Sequence, residues 1–291
     1  MNRIEVVPAS PAEQPACLAL LPEMRGLSCE WLIARRNGAI AGAAGLSWSS
    51  WNRPAGFPLW LHVIPCERRQ GVGRSLVAAA VELAAGETGG LWSLKAVEQD
   101  SEAAAFLAAC GFAIAHRSFT FRMDMVRFDA HMQRIVERLR RHGRIPAELR
   151  VVSLREAPLR DVAWMVSAAF ASGPAQLLAA LRRGLGQAEN NGVDPDRSVV
   201  VMADDTVAGA LLYRFNGGHC LIEANAVAPA WRNGCVNALQ LAAATRNALT
   251  AGASSFQYDC DEDVIDSINL ARRNGGERIA TKALFRYALA S

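Results

Sequence analysis

The chain has 291 residues, of which 51% are hydrophobic and 20% are charged, and its formal net charge is +3. This composition excludes an intrinsically disordered protein, and so small a net charge does not by itself indicate nucleic-acid binding. The length predicts two domains of about 130–150 residues each.

The cysteines and histidines form no pattern typical of a metal site or a disulfide framework. The seven cysteines are scattered and contain no C-x-x-C pair, and the five histidines are equally dispersed. We therefore expect reduced thiols and no metal. No apolar run reaches the ~18 residues that span a bilayer, and no signal-peptide core opens the chain. These features predict a cytoplasmic protein with no membrane or nucleic-acid partner, as a monomer or homodimer.

The first half of the chain predicts the order β-α-β-β-β-α-β-α-β. An Asn37-Gly38 pair marks a tight hairpin turn, and Ser101 is a suitable N-cap for a helix that stops at Gly111. The predicted strands are residues 3–7, 30–36, 39–48, 57–64, 91–97 and 112–125. The predicted helices are residues 11–22, 75–85 and 102–111.

A glycine- and arginine-containing turn joins the fourth strand to the next helix. Residues 63–76 read V-I-P-C-E-R-R-Q-G-V-G-R-S-L and contain R-x-x-G-x-G. The first turn of a helix attracts phosphate because its N–H groups lack intrahelical partners, and glycine lets the backbone approach an anion closely. The sequence predicts a phosphate-binding turn made of Arg68, Arg69, Gln70, Gly71, Val72, Gly73, Arg74 and Ser75.

This turn resembles the acyl-CoA pyrophosphate loop of the GNAT acetyltransferase superfamily. The later sequence A-A-A-F-L-A-A-C-G-F, residues 103–112, resembles the next signature of that superfamily. The resemblance implies an α/β (α+β) fold with a mixed, mostly antiparallel central sheet, flanked by helices and splayed between strands four and five. It also implies acetyl-CoA (acyl-CoA) as the cofactor, with a backbone N–H near Leu61, His62 or Val63 directed at the thioester carbonyl.

From Glu148 the order of elements restarts, which indicates a diverged internal repeat. The predicted strands are residues 149–154, 198–203, 207–215, 221–227, 255–260 and 279–289, and the predicted helices are 158–170, 175–185, 233–252 and 264–274. The repeat aligns Val63, Pro65 and Arg68 with Val227, Pro229 and Arg232. The glycines are not repeated, since Cys235 and Asn237 stand at the places of Gly71 and Gly73. The resemblance therefore implies a second GNAT-like domain whose cofactor loop has decayed.

These patterns predict three segments. Residues 1–127 form an N-terminal GNAT-like domain that binds acyl-CoA, residues 128–147 a basic linker helix, and residues 148–291 a degenerate C-terminal GNAT-like domain. The arginine-rich helix has two interpretations: a surface for RNA or an acidic partner, or a solvated helix whose apolar side rests on a domain. The second is favoured, because blocks of like charge usually face water and no aromatic residues are interleaved.

The resemblance implies a strand-four carboxylate as general base and a tyrosine as acid, and neither stands at its expected place. Leu59 and Trp60 occupy the carboxylate positions of the first half, and Leu107 and Ala271 stand where the tyrosine would be. Candidate catalytic residues are Glu223, on strand four of the second half, and His62. Packing is the alternative for His62, and an ion pair is the alternative for Glu223. The other ionisable groups nearest the first loop are Glu30, Glu98 and Asp100.

The sequence thus predicts an N-acetyltransferase that transfers an acetyl group from acetyl-CoA to a primary amine of a small molecule or peptide. The missing base and acid leave a second hypothesis, a non-catalytic acyl-CoA-binding or regulatory protein. A third places the cofactor on the first half and takes the base, Glu223, from the second. Tryptophans in the loop before strand four, residues 48–57, are candidates for an apolar acceptor wall.

Overall fold

A computed structural model describes residues 3–25, 28–47, 56–87, 89–93, 96–170, 174, 177–179, 181–182 and 192–289. The chain forms two compact units. Unit 1 consists of residues 1–118 and 281–291, and unit 2 consists of residues 119–280. Most of the predicted acceptor loop 48–57 and most of the predicted helix 175–185 lie outside the described residues.

The elements up to the middle of the chain follow the predicted order. The strands are β1 Ile4–Pro8, β2 Cys29–Arg36, β3 Ala39–Ser47, β4 Phe57–Val63, β5 Gly90–Ser93, β6 Val97–Glu98 and β7 Ala113–Asp124. The helices are α1 Gln14–Leu20, α2 Val72–Leu83, α3 Glu102–Ala109 and α4 Met125–Arg141. The hairpin turn between β2 and β3 has positive φ at Asn37 (53°) and Gly38 (84°), and Ser101 caps α3 by accepting a hydrogen bond from the N–H of Ala104 at 3.2 Å.

The second series of elements repeats this order. The strands are β8 Leu149–Ser153, β9 Val199–Ala203, β10 Thr206–Asn216, β11 His219–Val227, β12 Ser255–Asp261 and β13 Glu277–Ala288. The helices are α5 Leu159–Phe170, α6 Val236–Thr250 and α7 Ile265–Arg273. No helix within the described ranges is both long and apolar enough to cross a membrane.

The sheet of unit 1 is mixed and mostly antiparallel, as predicted. Its strand order is β1-β2-β3-β4-β5-β13-β7, with only residues 113–118 of β7 and the end of β13 in this unit. The pairs β1–β2, β2–β3 and β3–β4 are antiparallel, whereas β4 and β5 are parallel. In β13, Arg286 is paired with Trp92 of β5, and the N–H of Phe285 donates to the hydroxyl of Ser93 at 2.9 Å.

Unit 1 therefore has different bounds from the N-terminal domain expected from the sequence. A domain of residues 1–127 leaves out the end of β13, which pairs antiparallel with β5 and β6. The alternating pattern of β13 is typical of any half-buried strand, so it does not specify the sheet that the strand joins. Pairing between residues so distant in sequence is set by tertiary packing.

The two faces of the β4 region carry separate cores. Leu59 packs with α2 side chains such as Leu76 on one face, and Trp60 packs near α1 with Cys17 on the other. This alternation follows from the two-residue period of a strand, in which successive side chains point to opposite faces. Leu59 and Trp60, which stand at the predicted carboxylate positions, are both buried.

Unit 2 has the corresponding sheet, in the order β7-β12-β11-β10-β9-β8, with residues 119–124 of β7. The β8–β9, β9–β10 and β10–β11 pairs are antiparallel, and β11 and β12 are parallel. The mixed sheet flanked by helices is thus present in both units, which confirms the predicted fold class.

Helix α4 belongs to unit 2 and contributes to its core, so it is not a separate linker of residues 128–147. Phe128 and Met132 are buried, and the ring of Phe128 lies 5.0 Å from that of Phe256. The buried carboxylate of Asp129 accepts hydrogen bonds from Gln133 Nε2 at 2.9 Å and Thr245 Oγ1 at 3.1 Å. This packing agrees with the favoured interpretation of the segment, a helix whose apolar side rests on a domain and whose opposite face is exposed.

Candidate functional site

The turn between β4 and α2 has the conformation of an anion-binding loop. Residues Pro65–Glu67 form one 3-10 turn, Arg68 is extended, and the backbone is left-handed at Arg69 (φ 60°) and Gly71 (φ 89°). A left-handed conformation costs a non-glycine residue about 1–2 kcal/mol, so Gly71 suits its position. The turn redirects the chain from the end of β4 into the first turn of α2.

The N-terminus of α2 presents free backbone donors. The N–H of Ser75 donates to the carbonyl of Gly71 at 3.0 Å, so the preceding N–H groups of Val72, Gly73 and Arg74 have no intrahelical partner. No side chain caps this helix. Uncapped N–H groups and the positive end of the helix dipole together favour a bound phosphate.

Positive charge is concentrated around these donors. The side chains of Arg68, Arg69 and Arg74 are all exposed. Arg69 forms an ion pair of 2.5 Å with Glu102 at the start of α3, and both side chains are more than four-fifths exposed. An ion pair this exposed is worth at most about 1 kcal/mol, so Arg69 can exchange the carboxylate for a ligand phosphate.

The turn is held in place by neighbours on both sides. Arg68 donates from Nε to the carbonyl of Val63 at 3.3 Å, which ties the turn to the last residue of β4. Glu67 forms a partly buried ion pair of 2.6 Å with Arg36 at the end of β2. The sequence pattern did not indicate the contribution of Glu67 and Arg36, because the pair connects residues 31 positions apart.

The structure gives another reason for glycine at position 73 than the close approach to an anion that the sequence predicted. A Cβ atom at Gly73 would lie 3.0 Å from the ring of Phe106 in α3 and 3.5 Å from Val63 Cγ2. Gly73 therefore allows α2 to pack closely on α3 and β4, and the expectation of a direct approach to pyrophosphate is not needed to explain it. Phe106 is a residue of this site that was quoted in the second motif but not predicted to contact the loop.

The described pairing between β4 and β5 ends before the turn. It pairs with β5 only through Phe57–Leu91, Pro58–Trp92 and Leu59–Ser93, and within the described ranges its residues 60–63 have no partner on β5. Because residues 94 and 95 lie outside the described residues, the splay of unit 1 stays a prediction.

His62 alternates with Leu61 and Val63, which pack with α2 and its neighbours. It is half-buried and pairs with Ala43 of β3 on the side of the sheet that also carries Trp60. Its side chain therefore points to the opposite face of the sheet from α2. Among the described residues, the His62 side chain has no hydrogen bond that would favour proton transfer over packing.

Burial raises the pKa of the Cys110 thiol, which lies at the end of α3, and the positive charge of nearby Arg74 lowers it in part. The protonated, half-buried thiol is a packing residue beside the arginines and not a nucleophile at neutral pH.

Glu223 lies on β11 of unit 2, and its carboxylate forms an ion pair with Arg214 on β10. The pairing of these strands shifts register between Leu212 and Tyr213, which leaves Glu223 as the extra residue of a bulge. The ion pair accounts for a glutamate in an apolar strand, which was one of the two interpretations of the sequence. The side chain is 42% exposed, so it also remains accessible to solvent.

The corresponding turn of unit 2 keeps part of the backbone geometry. Arg232 is extended and donates from Nε to the carbonyl of Val227 at 3.4 Å, and Asn233 is left-handed with φ 61°. The turn then diverges, because Cys235 has φ −82°, where Gly71 has a left-handed backbone. Only Arg232 repeats the charge of the three arginines in unit 1.

Polar side chains fill the space between β11 and the start of α6. Asn225 Nδ2 donates to Asn237 Oδ1 at 3.1 Å, and Gln240 Nε2 donates to Asn225 Oδ1. Asn237 stands at the place of Gly73 and its side chain is already engaged. The helix N-terminus of unit 2 is therefore more crowded and less positive than that of unit 1.

The order of strands and helices, the parallel pair of strands in each sheet and the turn before the central helix are those of the GNAT fold, and both units have them. Residues 4–112, which lie in unit 1, match the model of the "Acetyltransferase (GNAT) family". The chain as a whole has the fold of solved tandem GNAT structures.

Solved structures with this fold cover nearly the whole chain. A tandem GNAT protein from the clavulanic acid biosynthesis pathway is 18% identical, with a TM-score of 0.63 and 99% of each chain covered. A GCN5-related N-acetyltransferase from Sphaerobacter thermophilus is 16% identical, with a TM-score of 0.57, 100% of this chain and 97% of that chain covered. A glucosamine N-acetyltransferase region of a fungal GH3 β-N-acetylglucosaminidase is 13% identical, with a TM-score of 0.61, 99% of this chain and 38% of that chain covered. No curated protein sequence matches the chain.

Proposed function

We propose that the chain is an N-acyltransferase that transfers an acetyl group from acetyl-CoA to a primary amine of a small molecule or peptide. The observation that carries the proposal is the uncapped N-terminus of α2, surrounded by Arg68, Arg69 and Arg74, directly after β4. The GNAT family match of residues 4–112 supports acyl transfer as the reaction class.

Unit 1 offers groups that fit acetyl-CoA. The free N–H groups of Val72, Gly73 and Arg74 and the side chains of Arg69 and Arg74 would hold the diphosphate. The left-handed backbone at Gly71 orients these donors without a side chain in the way. Acetyl-CoA supplies a thioester, whose acetyl carbonyl is activated toward an amine.

The remaining steps belong to the chain's own groups. A backbone N–H at Leu61, His62 or Val63 on β4 would polarise the thioester carbonyl, because a fixed donor stabilises the charge that develops on oxygen. The acceptor amine must be neutral to attack, and its proton must pass to a base or to water. His62 and Glu223 are the proposed candidates, and the thiol that leaves can take a proton from water.

Binding of CoA is the first test. We expect one molecule of CoA per chain by isothermal titration calorimetry and a higher unfolding temperature, since a ligand that binds only the folded state stabilises it. The Arg69→Gln/Arg74→Gln variant should weaken binding by about tenfold or more, as loss of charge-assisted hydrogen bonds predicts. Arg160→Gln, an exposed arginine on α5 of unit 2, is the matched control. Absence of CoA binding to the wild type would refute the proposal.

The alternative function is non-catalytic acyl-CoA binding. Buried Leu59 and Trp60 at the carboxylate positions favour it, together with Leu107 at the place of the tyrosine. A panel of amino acids, polyamines, amino sugars and peptides, with free CoA measured by chromatography, separates the two. Amine-dependent release of CoA supports the acyltransferase, and tight binding of acetyl-CoA without release supports the alternative.

A further inference from the structure

Unit 2 contains a groove of about 780 Å³ between α4 and α7 that acyl transfer does not explain. Its walls come from two helices that both belong to unit 2. Arginines lie on both walls: α4 contributes three, and α7 contributes a fourth. These residues are Arg134, Arg138, Arg141 and Arg273.

The α4 arginines form a row along one face of the helix. Arg134, Arg138 and Arg141 are spaced i, i+4 and i+7. Along the helix axis, the Cα atom of Arg138 therefore lies about 6 Å from that of Arg134, and the Cα atom of Arg141 about 10 Å from it. All four arginines are exposed, and none has an ion pair or a side-chain hydrogen bond within the part of the chain that the structure describes. The guanidinium groups are therefore free to bind an anion.

The helix dipole explains only part of this arrangement. Arg138, Arg141 and Arg273 lie in the last turns of their helices, where a positive charge is favourable. Arg134 lies in the middle of α4 and gains nothing from the helix terminus. The four arginines outnumber the two carboxylates of the lining, Glu137 and Asp266, and an anion would relieve this excess of positive charge.

The groove also has apolar and acidic contributions. Ile135 and Leu270 are half-buried lining residues, and Glu137 and Asp266 are exposed ones. His131 also lines the groove, and Phe, Tyr and Trp are absent from the described lining. This mixed lining suits a protein segment that presents both carboxylates and apolar side chains.

We propose that the α4–α7 groove binds an acidic amphipathic helix of a partner protein. Its carboxylates would pair with the arginine row, because the planar guanidinium matches a carboxylate in a bidentate arrangement. Its apolar side chains would contact Ile135 and Leu270, in the manner of a helix docked in a groove. Glutamates spaced i, i+4 and i+7 on the partner would repeat the spacing of the arginines.

The lining favours this occupant over nucleic acid. Glu137 and Asp266 would repel a dense array of phosphates, whereas a lysine or arginine of a protein segment can form ion pairs with them. Single-stranded nucleic acid is generally held by stacking on successive aromatic side chains, and the described lining offers His131 but no Phe, Tyr or Trp. The groove proposal is independent of acyl transfer, since no residue of the CoA turn takes part.

The test uses fluorescence anisotropy with the full chain and a short labelled helical peptide. The probe carries glutamates at i, i+4 and i+7 flanked by leucines, and its matched peptide carries glutamines instead. We expect the acidic peptide to bind, the glutamine peptide to bind at least about tenfold more weakly, and added salt to weaken binding.

Two variants on the same segment locate the site. Arg134→Gln/Arg138→Gln should weaken binding at least about tenfold, while Arg140→Gln/Arg144→Gln, outside the groove, should leave it unchanged. Circular dichroism checks the fold, and Arg273→Gln tests the opposite wall if the double variant does not fold. Absence of binding, equal binding of both peptides, equal effects of the two double variants, or tighter Arg134- and Arg138-dependent binding of a uridine oligonucleotide would each overturn the proposal.

Discussion

Arg68 and Val63 are joined by a hydrogen bond from the guanidinium Nε to the backbone carbonyl, 3.3 Å long. Arg232 and Val227 form the same bond at 3.4 Å in unit 2, where the glycines and the other arginines of the turn have been replaced. A contact kept in a turn that has lost its other anion-binding features belongs to the fold. Arg68 is thus first a positioning residue, which ends β4 and sets the direction of the turn.

Replacing this arginine should affect both units in the same way. Arg68→Gln and Arg232→Gln should each lower the free energy of unfolding by about 0.5–1.5 kcal/mol, the usual worth of one hydrogen bond. Urea denaturation measures this loss. Only Arg68→Gln should also weaken CoA binding. A stable Arg68→Gln variant with unchanged unfolding would contradict the structural role.

Substitution of each of the two glycines of the turn should destabilise the protein for a different reason. Gly73→Ala brings a Cβ against Phe106, and we expect a loss of about 1–3 kcal/mol from overpacking. The loss should be smaller in a Phe106→Leu background. Gly71→Ala should cost about 1–2 kcal/mol through its left-handed backbone, whichever residue is at 106. Equal penalties for Gly73→Ala in both backgrounds would show that Phe106 does not set the requirement for glycine.

Glu13 should make the stability of the protein depend on pH. Its carboxylate accepts hydrogen bonds from the side chain and backbone N–H of Ser10 and pairs with Arg35, and these lower its pKa from 4.5 to about 2. The folded state then holds the proton less tightly than the unfolded state, so the stabilisation is fully present above pH 4.5 and is lost as the pH falls toward 2.

The measurement is the urea midpoint of the wild type and of Glu13→Gln across this range. We expect the variant to be less stable at pH 6 and the difference to shrink at acid pH. Glu87→Gln, an exposed carboxylate between α2 and β5, serves as the control. A difference that persists unchanged at the lowest pH would mean that Glu13 does not act through its charge.

Alkylation should distinguish the cysteines by exposure. Cys66 is exposed in the 3-10 turn beside the CoA site, whereas Cys17, Cys220 and Cys260 are buried. Burial raises the pKa of Cys260 to about 11 and raises that of Cys17 as well, so little reactive thiolate forms at pH 8. Mass spectrometry after iodoacetamide treatment should find Cys66 labelled in the native protein, and added CoA should slow that labelling. Rapid native labelling of Cys260 would contradict the assigned burial.

The ion pair of Glu223 leads to a kinetic prediction. Because Arg214 already neutralises the carboxylate, Glu223→Gln should change kcat/KM for amine acetylation less than Arg69→Gln/Arg74→Gln does. A general base normally contributes about 10²–10⁴-fold. A loss of that size in kcat for Glu223→Gln, with KM unchanged, would instead identify Glu223 as the base. His62→Gln is assayed in parallel on the same criterion.

Local patterns predicted the helices and strands of this protein well, because turns and helix caps depend on residues that are close together in the sequence. The Asn37-Gly38 turn, the Ser101 cap and the restart of the element order at Glu148 all have counterparts in the structure. The phosphate-binding role of residues 68–75 stays a prediction, which the uncapped N-terminus of α2 supports.

Features that depend on distant residues could not be read in this way. The reason for Gly73 is the ring of Phe106, which reaches it only when α3 folds onto α2. The pairing of Glu223 depends on a bulge that brings Arg214 beside it. The sequence placed the apolar side of α4 on a domain, but it could not show that Phe128 packs on Phe256, because the two residues are distant in the chain.

The place of β13 has a consequence for biosynthesis. Unit 1 needs residues 281–288 to fill the position between β5 and β7, yet those residues follow the whole of unit 2 in the chain. During translation the edge of β5 therefore stays open until more than 160 further residues have emerged from the ribosome, as the separation of Ser118 and Thr281 requires. Such high contact order slows folding and exposes a strand edge to aggregation, so the nascent chain should depend on chaperones until its final strand arrives.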